Sequence, residues 1–364
     1  MAQKQGLRFI VIAVLLLLGV WWSLALADKG AGQFGYPGGR FMATAAWLSQ
    51  HQNDTNLIIV DVREGKDFDG KLIPGAIHMP WSEFRYTDTA RGIGGAFVGP
   101  VRAQEILGAH GITRADEVIL YDSVKKDGGA TASYVFWVLD LLGHQKMRIL
   151  DRGIDAWVVA GNQLATEARQ LEPLLYQAPT AEIDLRRQVD GGFIYDRLGD
   201  AYYQILDVRS QEEYLGEKPN PALDGSELKL GHIPTAVNRE YRSNWVDPET
   251  KAVKSYADLQ EHYRGLNPNT AVITYCHSAR RGSYGYYILR LMGLQDVRLY
   301  DNSWYEWGNP QLYFPTETQP REFAGQALPA GDMTSVTGTT VAPAGAAKAG
   351  DAKQPKGGYI SCGG

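Results

Sequence analysis

The residues best placed to do chemistry lie in one short run, Cys276-His277-Ser278-Ala279-Arg280-Arg281. Cys276 ends the apolar run Val272-Ile273-Thr274-Tyr275, which reads as a buried strand, and Ser283 to Leu291 reads as the helix that follows. In an open parallel sheet, ligands bind at the carboxyl ends of strands, where the next helices begin. A cysteine at that junction faces the unpaired N–H groups and the positive end of the helix dipole. Arg280 and Arg281 add two positive charges. All of these favour thiolate over thiol, which makes a cysteine nucleophilic at neutral pH. The alternative is a buried, inert cysteine.

The elements that must position this run occur twice. Leu57-Ile58-Ile59-Val60 leads into Asp61-Val62-Arg63, and Gln204-Ile205-Leu206 leads into Asp207-Val208-Arg209. Ile73 to His78 matches Ile233 to Asn238, Val118 to Asp122 matches Val272 to Cys276, and Asp151 to Trp157 matches Asp301 to Trp307. Four matches in the same order, at offsets of 146 to 160 residues, read as a duplicated domain with loop insertions. Short Val/Ile/Leu runs without polar alternation predict strands buried on both faces of a parallel sheet, and Ala132 to Leu142 predicts the first copy's counterpart of the 283–291 helix. Each copy is therefore an α/β unit. The expected organisation is one domain over 40–170, a linker over 171–190, a second domain over 191–320 and a disordered Ala/Gly/Pro-rich tail over 321–364.

With 364 residues, 44% apolar, 21% charged and a net charge of −5, the chain has room for two ordinary globular domains and lacks the basic bias of a nucleic-acid binder. Its two cysteines, Cys276 and Cys362, can build neither a disulfide framework nor a four-thiolate metal site. The seven histidines are scattered, so no metal or other cofactor is implied. The glycine-rich Gly92-Ile93-Gly94-Gly95 lacks a P-loop lysine and is expected to be a flexible loop. Trp304 and Trp307 are expected near the pocket rim.

The Asp-Val-Arg runs, Gly231-His232-Ile233-Pro234 with Ala236-Val237-Asn238, and the Tyr275-Cys276 loop resemble those of an exported bacterial tandem-domain rhodanese, a thiosulfate- or mercaptopyruvate-type sulfurtransferase. The resemblance spans roughly 54–319. It implies two rhodanese-like domains, each a small parallel sheet flanked by helices, of which the second is catalytic and the first inactive, with Asp122 at the position of Cys276. It also implies a persulfide on Cys276, formed from a small anionic donor such as thiosulfate and passed to cyanide or a thiol. His277, Ser278, Ala279, Arg280 and Arg281 would bind the substrate through loop amides and guanidiniums. Arg209, matched by Arg63 in the other copy, is read as holding the fold. Two departures leave the donor open. Thiosulfate-type enzymes often have a basic residue directly after the cysteine and an arginine four places after the Asp-x-Arg arginine, and here these are His277 and Glu213. A Glu213 aimed at the donor would repel a dianion.

Two rival readings fit the same residues. A cysteine phosphatase on the same fold needs Cys-x5-Arg, whereas this loop offers Cys-x4-Arg with Arg281. A non-catalytic rhodanese-like binding or redox module would be indifferent to Cys276→Ser. At the N-terminus, the uncharged run 9–27 follows Lys4 and Arg8 and ends Ala25-Leu26-Ala27, which predicts an export signal over 1–27, cleaved in preference to retained as a membrane anchor, and a periplasmic location. At the other end, a flexible tail with an r.m.s. span of about 35 Å could bring Cys362 to Cys276 as a sulfur relay.

Overall fold

The computed structural model describes residues 33–323. The expected export signal, Cys362 and all but the first three residues of the expected tail lie outside the described residues. Among the described residues, no helix is long and apolar enough to cross a membrane.

The first unit runs β1 (Met42–Ala43), α1 (Ala45–His51), β2 (Leu57–Asp61), β3 (Ile77–His78), a hairpin of β4 (Arg85–Asp88) and β5 (Ile93–Phe97), α2 (Gly99–Ala109), β6 (Glu117–Tyr121), α3 (Ala130–Leu141), β7 (Met147–Leu150) and α4 (Gly153–Val159). The second runs β8 (Gln188–Val189), α5 (Gly191–Tyr195), β9 (Tyr203–Asp207), α6 (Gln211–Leu215), β10 (Val237–Asn238), α7 (Tyr256–His262), β11 (Ala271–Tyr275), α8 (Arg280–Leu291), β12 (Val297–Tyr300) and α9 (Ser303–Trp307). The two five-stranded sheets have the orders β1-β7-β6-β2-β3 and β8-β12-β11-β9-β10, which are the same order strand for strand. Every pairing within them is parallel. The central strands β6 and β11 are buried along nearly their whole length, because helices cover both faces, and this explains their unbroken apolar runs.

The duplication extends to side chains. Arg63 pairs with Asp61 at 2.7 Å and Arg209 with Asp207 at 2.6 Å, each donating a further hydrogen bond to the loop carbonyl of Lys71 or Gly231. Tyr121 and Tyr275 accept the N–H of Ile73 and Ile233 through their hydroxyls. The arginine of each Asp-Val-Arg run thus ties the strand end to the loop before β3 or β10. Arg209 is wholly buried over the Trp304 ring at 4.1 Å.

The copies meet along α3 and α8. Ser133 and Ser283 hydroxyls lie 3.0 Å apart, Phe136 packs edge-on to Tyr287, and near the helix C-termini Arg290 of α8 pairs with Asp140 of α3 at 2.9 Å. One apolar core runs through this seam from both units.

Four segments pack more closely than the sequence alone suggests. The 171–190 segment packs as part of the fold: Tyr176 is buried with its hydroxyl on His144, Ala178 donates to Gln104, and Gln188–Val189 forms the edge strand β8. The tail begins on the core, with Phe323 buried under Arg239 and the Arg321 amide donating to Tyr214. Gly94 and Gly95 lie in β5 rather than a flexible loop. A Cβ on Gly94 would come within 2.8 Å of Leu223 and Tyr305 in the second unit, so the glycine permits a close approach between units. Trp304 and Trp307 are core residues with no exposure.

Candidate active site

Cys276 directly follows Tyr275, the last residue of β11, which pairs in register with Asp207 of β9, and the chain turns into α8 at Arg280. The turn is tight. Ala279 has φ 69°, and the Ser283 amide donates to its carbonyl to start the helix. Ser303 at the head of α9 supports it from below: its hydroxyl accepts the amides of Cys276 and Ala279, both at 3.2 Å, and donates to the Tyr300 carbonyl. The Cys276 and His277 carbonyls accept the Trp304 and Tyr305 amides. The loop is covered over most of its surface. Cys276 and Ala279 have no exposure, and His277, Ser278 and Arg280 have less than 10% each.

The expected substrate-binding residues are brought together, each with a definite contact. His277 packs at a tilt against Tyr305, ring centres 4.3 Å apart, with Nε2 3.0 Å from the Pro221 carbonyl, and since a carbonyl only accepts, Nε2 carries the proton. The Ser278 carbonyl accepts from Arg85 of the β4–β5 hairpin at 2.6 Å, and Arg85 is held between the rings of Trp81 and Tyr134. Arg280 is ion-paired with Asp127, which belongs to the first unit. Arg281 makes a two-pronged pair with Glu213, at 2.6 and 2.9 Å. Glu213 also caps α6 by accepting the Ser210 amide, and the Arg281 contact outweighs the desolvation to hold its carboxyl well below the usual carboxylate range. Both guanidiniums expected to face the donor are therefore partnered by carboxylates.

The equivalent junction of the first unit holds an anion of its own. Asp122 follows β6 as Cys276 follows β11, and its carboxylate accepts the amides of Gly129, Thr131 and Ala132 at the start of α3. Burial nevertheless dominates those hydrogen bonds and pushes its pKa up to about 6. The helix N-terminus that would face a bound anion is occupied here by the protein's own side chain. Eight positions separate Asp122 from the first residue of α3, against four from Cys276 to α8. The extra residues form the loop that carries Asp127 across to Arg280. Lys251 of the second unit fastens that loop by donating to the Lys126 carbonyl at 2.6 Å.

The sequence reading missed Asp127, Arg85 and Ser303. The longer spacing from Asp122 to its helix was the available sign for Asp127. For Ser303 it was the replacement of Gly153, its counterpart in the Asp-to-Trp repeat, since both hold positive φ, at 51° and 54°. Arg85 left no comparable signal.

The profile of the Rhodanese-like domain matches residues 44–160 and 193–310. The chain belongs to the rhodanese family. Among similar proteins, a thiosulfate sulfurtransferase of Corynebacterium glutamicum is 30% identical over 76% of this chain and 90% of its own length. A sulfur carrier protein of Thermus thermophilus is 28% identical over 76% of this chain and 96% of its own. Among solved structures, the Tum1 protein of Saccharomyces cerevisiae shares the fold with a TM-score of 0.64 at 21% identity, covering 76% of this chain and 98% of that one. Within this rhodanese, Cys276 lies in the second matched segment and Asp122 in the first.

Proposed function

We propose that this sulfurtransferase moves a sulfane sulfur from a donor such as thiosulfate to a thiophilic acceptor, cyanide or a thiol, through a persulfide on Cys276. The observation that carries the reading is the position of Cys276, on a tight turn between the central strand and the N-terminus of α8. Its thiolate attacks the outer sulfur of the donor and expels sulfite, and the acceptor then takes the sulfur from the persulfide. The helix N-terminus favours both anionic forms. The first domain does not turn over in this reading, because an aspartate at 122 can hold no sulfane sulfur and its carboxylate fills the anion position. The apolar run 9–27 supports export to the periplasm.

Intact-protein mass spectrometry before and after thiosulfate, with Cys276→Ser alongside, tests this. The expected result is a gain of one sulfur atom that cyanide removes and the variant lacks. Equal behaviour of the wild type and Cys276→Ser would point to a binding module instead.

A further inference from the structure

Each guanidinium around the Cys276 loop is matched by a carboxylate. Arg280 is paired with Asp127, Arg281 with Glu213, and Arg209 with Asp207. Arg85, on the Ser278 carbonyl, attracts the buried Asp301 and so draws its pKa downward against the dominant effect of burial. The two carboxylates that meet the loop arginines have little room to move. Asp127 also accepts from the Tyr241 hydroxyl at 3.2 Å, and Glu213 accepts the Ser210 amide at 3.0 Å. Arg280 has 3% of its surface exposed and Glu213 has 5%, so water screens these pairs poorly. Asp122, close enough to Asp127 for each to feel the other's charge, adds further negative potential.

A donor with two negative charges meets no uncompensated cation at Arg280 or Arg281. To engage either one it must displace a buried carboxylate, and removing one partner from a buried ion pair is strongly unfavourable. We propose that Asp127 and Glu213 set the charge of the sulfur donor, so that the Cys276 loop favours a sulfane-sulfur donor with a single negative charge, such as an organic thiosulfonate, over dianionic thiosulfate. The inference rests on the sulfurtransferase reading and deepens it. The chemistry balances for either donor. The Cys276 thiolate forms a bond to the sulfane sulfur, and the bond from that sulfur to the sulfonyl sulfur breaks. The electron pair leaves with a sulfinate, or with sulfite when the donor is thiosulfate. No proton moves and no outside oxidant or reductant is needed. The first domain thus contributes Asp127 to the specificity of the second.

The test measures kcat and KM for methanethiosulfonate and thiosulfate with cyanide as acceptor, using the full chain, Asp127→Asn and Glu213→Gln. Sulfinate and sulfite differ as leaving groups, so the readout is the change in the donor ratio between variant and wild type. Asp127→Asn is expected to shift kcat/KM toward thiosulfate by about tenfold, chiefly through a lower thiosulfate KM, with Glu213→Gln moving the same way. In the wild type, methanesulfonate is expected to inhibit more tightly than sulfate, a comparison that needs neither a variant nor a leaving group. Donor ratios within twofold of wild type in the folded variants, or tighter inhibition by sulfate, would overturn the inference. A wild-type Cys276 that takes sulfur from neither donor overturns the sulfurtransferase reading itself.

Discussion

Asp122 carries a buried negative charge that three backbone amides only partly offset, and its pKa of about 6 makes this a pH-dependent cost. A carboxyl whose native pKa lies above its unfolded value near 3.8 binds its proton more tightly in the fold. Its contribution is therefore most favourable below the unfolded value and declines as pH rises through about 6. A difference of about two pKa units corresponds to roughly 3 kcal/mol. Asp122→Asn keeps an oxygen acceptor for the α3 amides and removes the charge. Urea denaturation at pH 5 and pH 7 should show the variant gaining stability relative to wild type at the higher pH, and a difference that does not change with pH would refute this account. Glu317, held at about 2 by His232 and Arg321 against the opposing effect of burial, works in the opposite sense: its stabilisation is present above pH 4.5 and is lost only as pH falls toward 2.

At the level of elements, α3 and α8 do two jobs. Their N-termini carry Asp122's cradle and the Cys276 loop, and their C-terminal halves clamp the units together. Asp140 of α3 pairs with Arg290 of α8 at 2.9 Å and with Arg187 at 3.2 Å, and it also accepts from Tyr286. Asp140→Ala leaves Arg290 buried without its carboxylate, which should cost about 3–5 kcal/mol in chemical denaturation. Asp140→Leu combined with Arg290→Met removes both charges of that pair, leaves Arg187 with Asp184 at 3.6 Å, and should cost less than Asp140→Ala alone. A double variant as unstable as the single would show that the pair contributes more than the avoidance of an unpaired charge.

Over the whole molecule, the second unit's apolar surface is completed by the first. Tyr284 and Tyr287 of α8, Trp245 and Tyr241 share a single core with Phe41, Phe136, Trp137 and the strands of the first unit. Burying one such side chain is worth roughly 1.5–3 kcal/mol. The second unit expressed alone over 185–323, with β8 and Phe323 retained, should therefore bind a hydrophobic dye, unfold at lower urea than the full chain and expose Cys276. A monodisperse, equally stable fragment would refute this. The same arrangement explains the first unit's place in the molecule. Its Asp127, Arg85 and Gly94 all contact the second unit at or beside the Cys276 loop.

The amino-acid sequence by itself determined the elements and their duplication, because a strand buried on both faces must be apolar wherever it occurs, and β2, β6, β9 and β11 carry that signature locally. It also determined the place of Cys276, since the end of a central strand before a helix is a local feature. Only the tertiary structure decided the partners of Arg280 and Arg281. Asp127 lies about 150 positions before Arg280, and nothing in either segment encodes the packing of α3 on α8 that brings them together. The same holds for the 171–190 segment: nothing in the run Leu174-Leu175-Tyr176 says that the two leucines stay exposed while Tyr176 is buried, and Val189 looks isolated among polar residues until the folded units cover it. Strand and helix patterns follow from neighbours a few residues apart. The charge around the Cys276 loop follows from contacts between distant segments, Asp127 with Arg280 across the units and Glu213 with Arg281 within the second, and those exist only once the cores have formed.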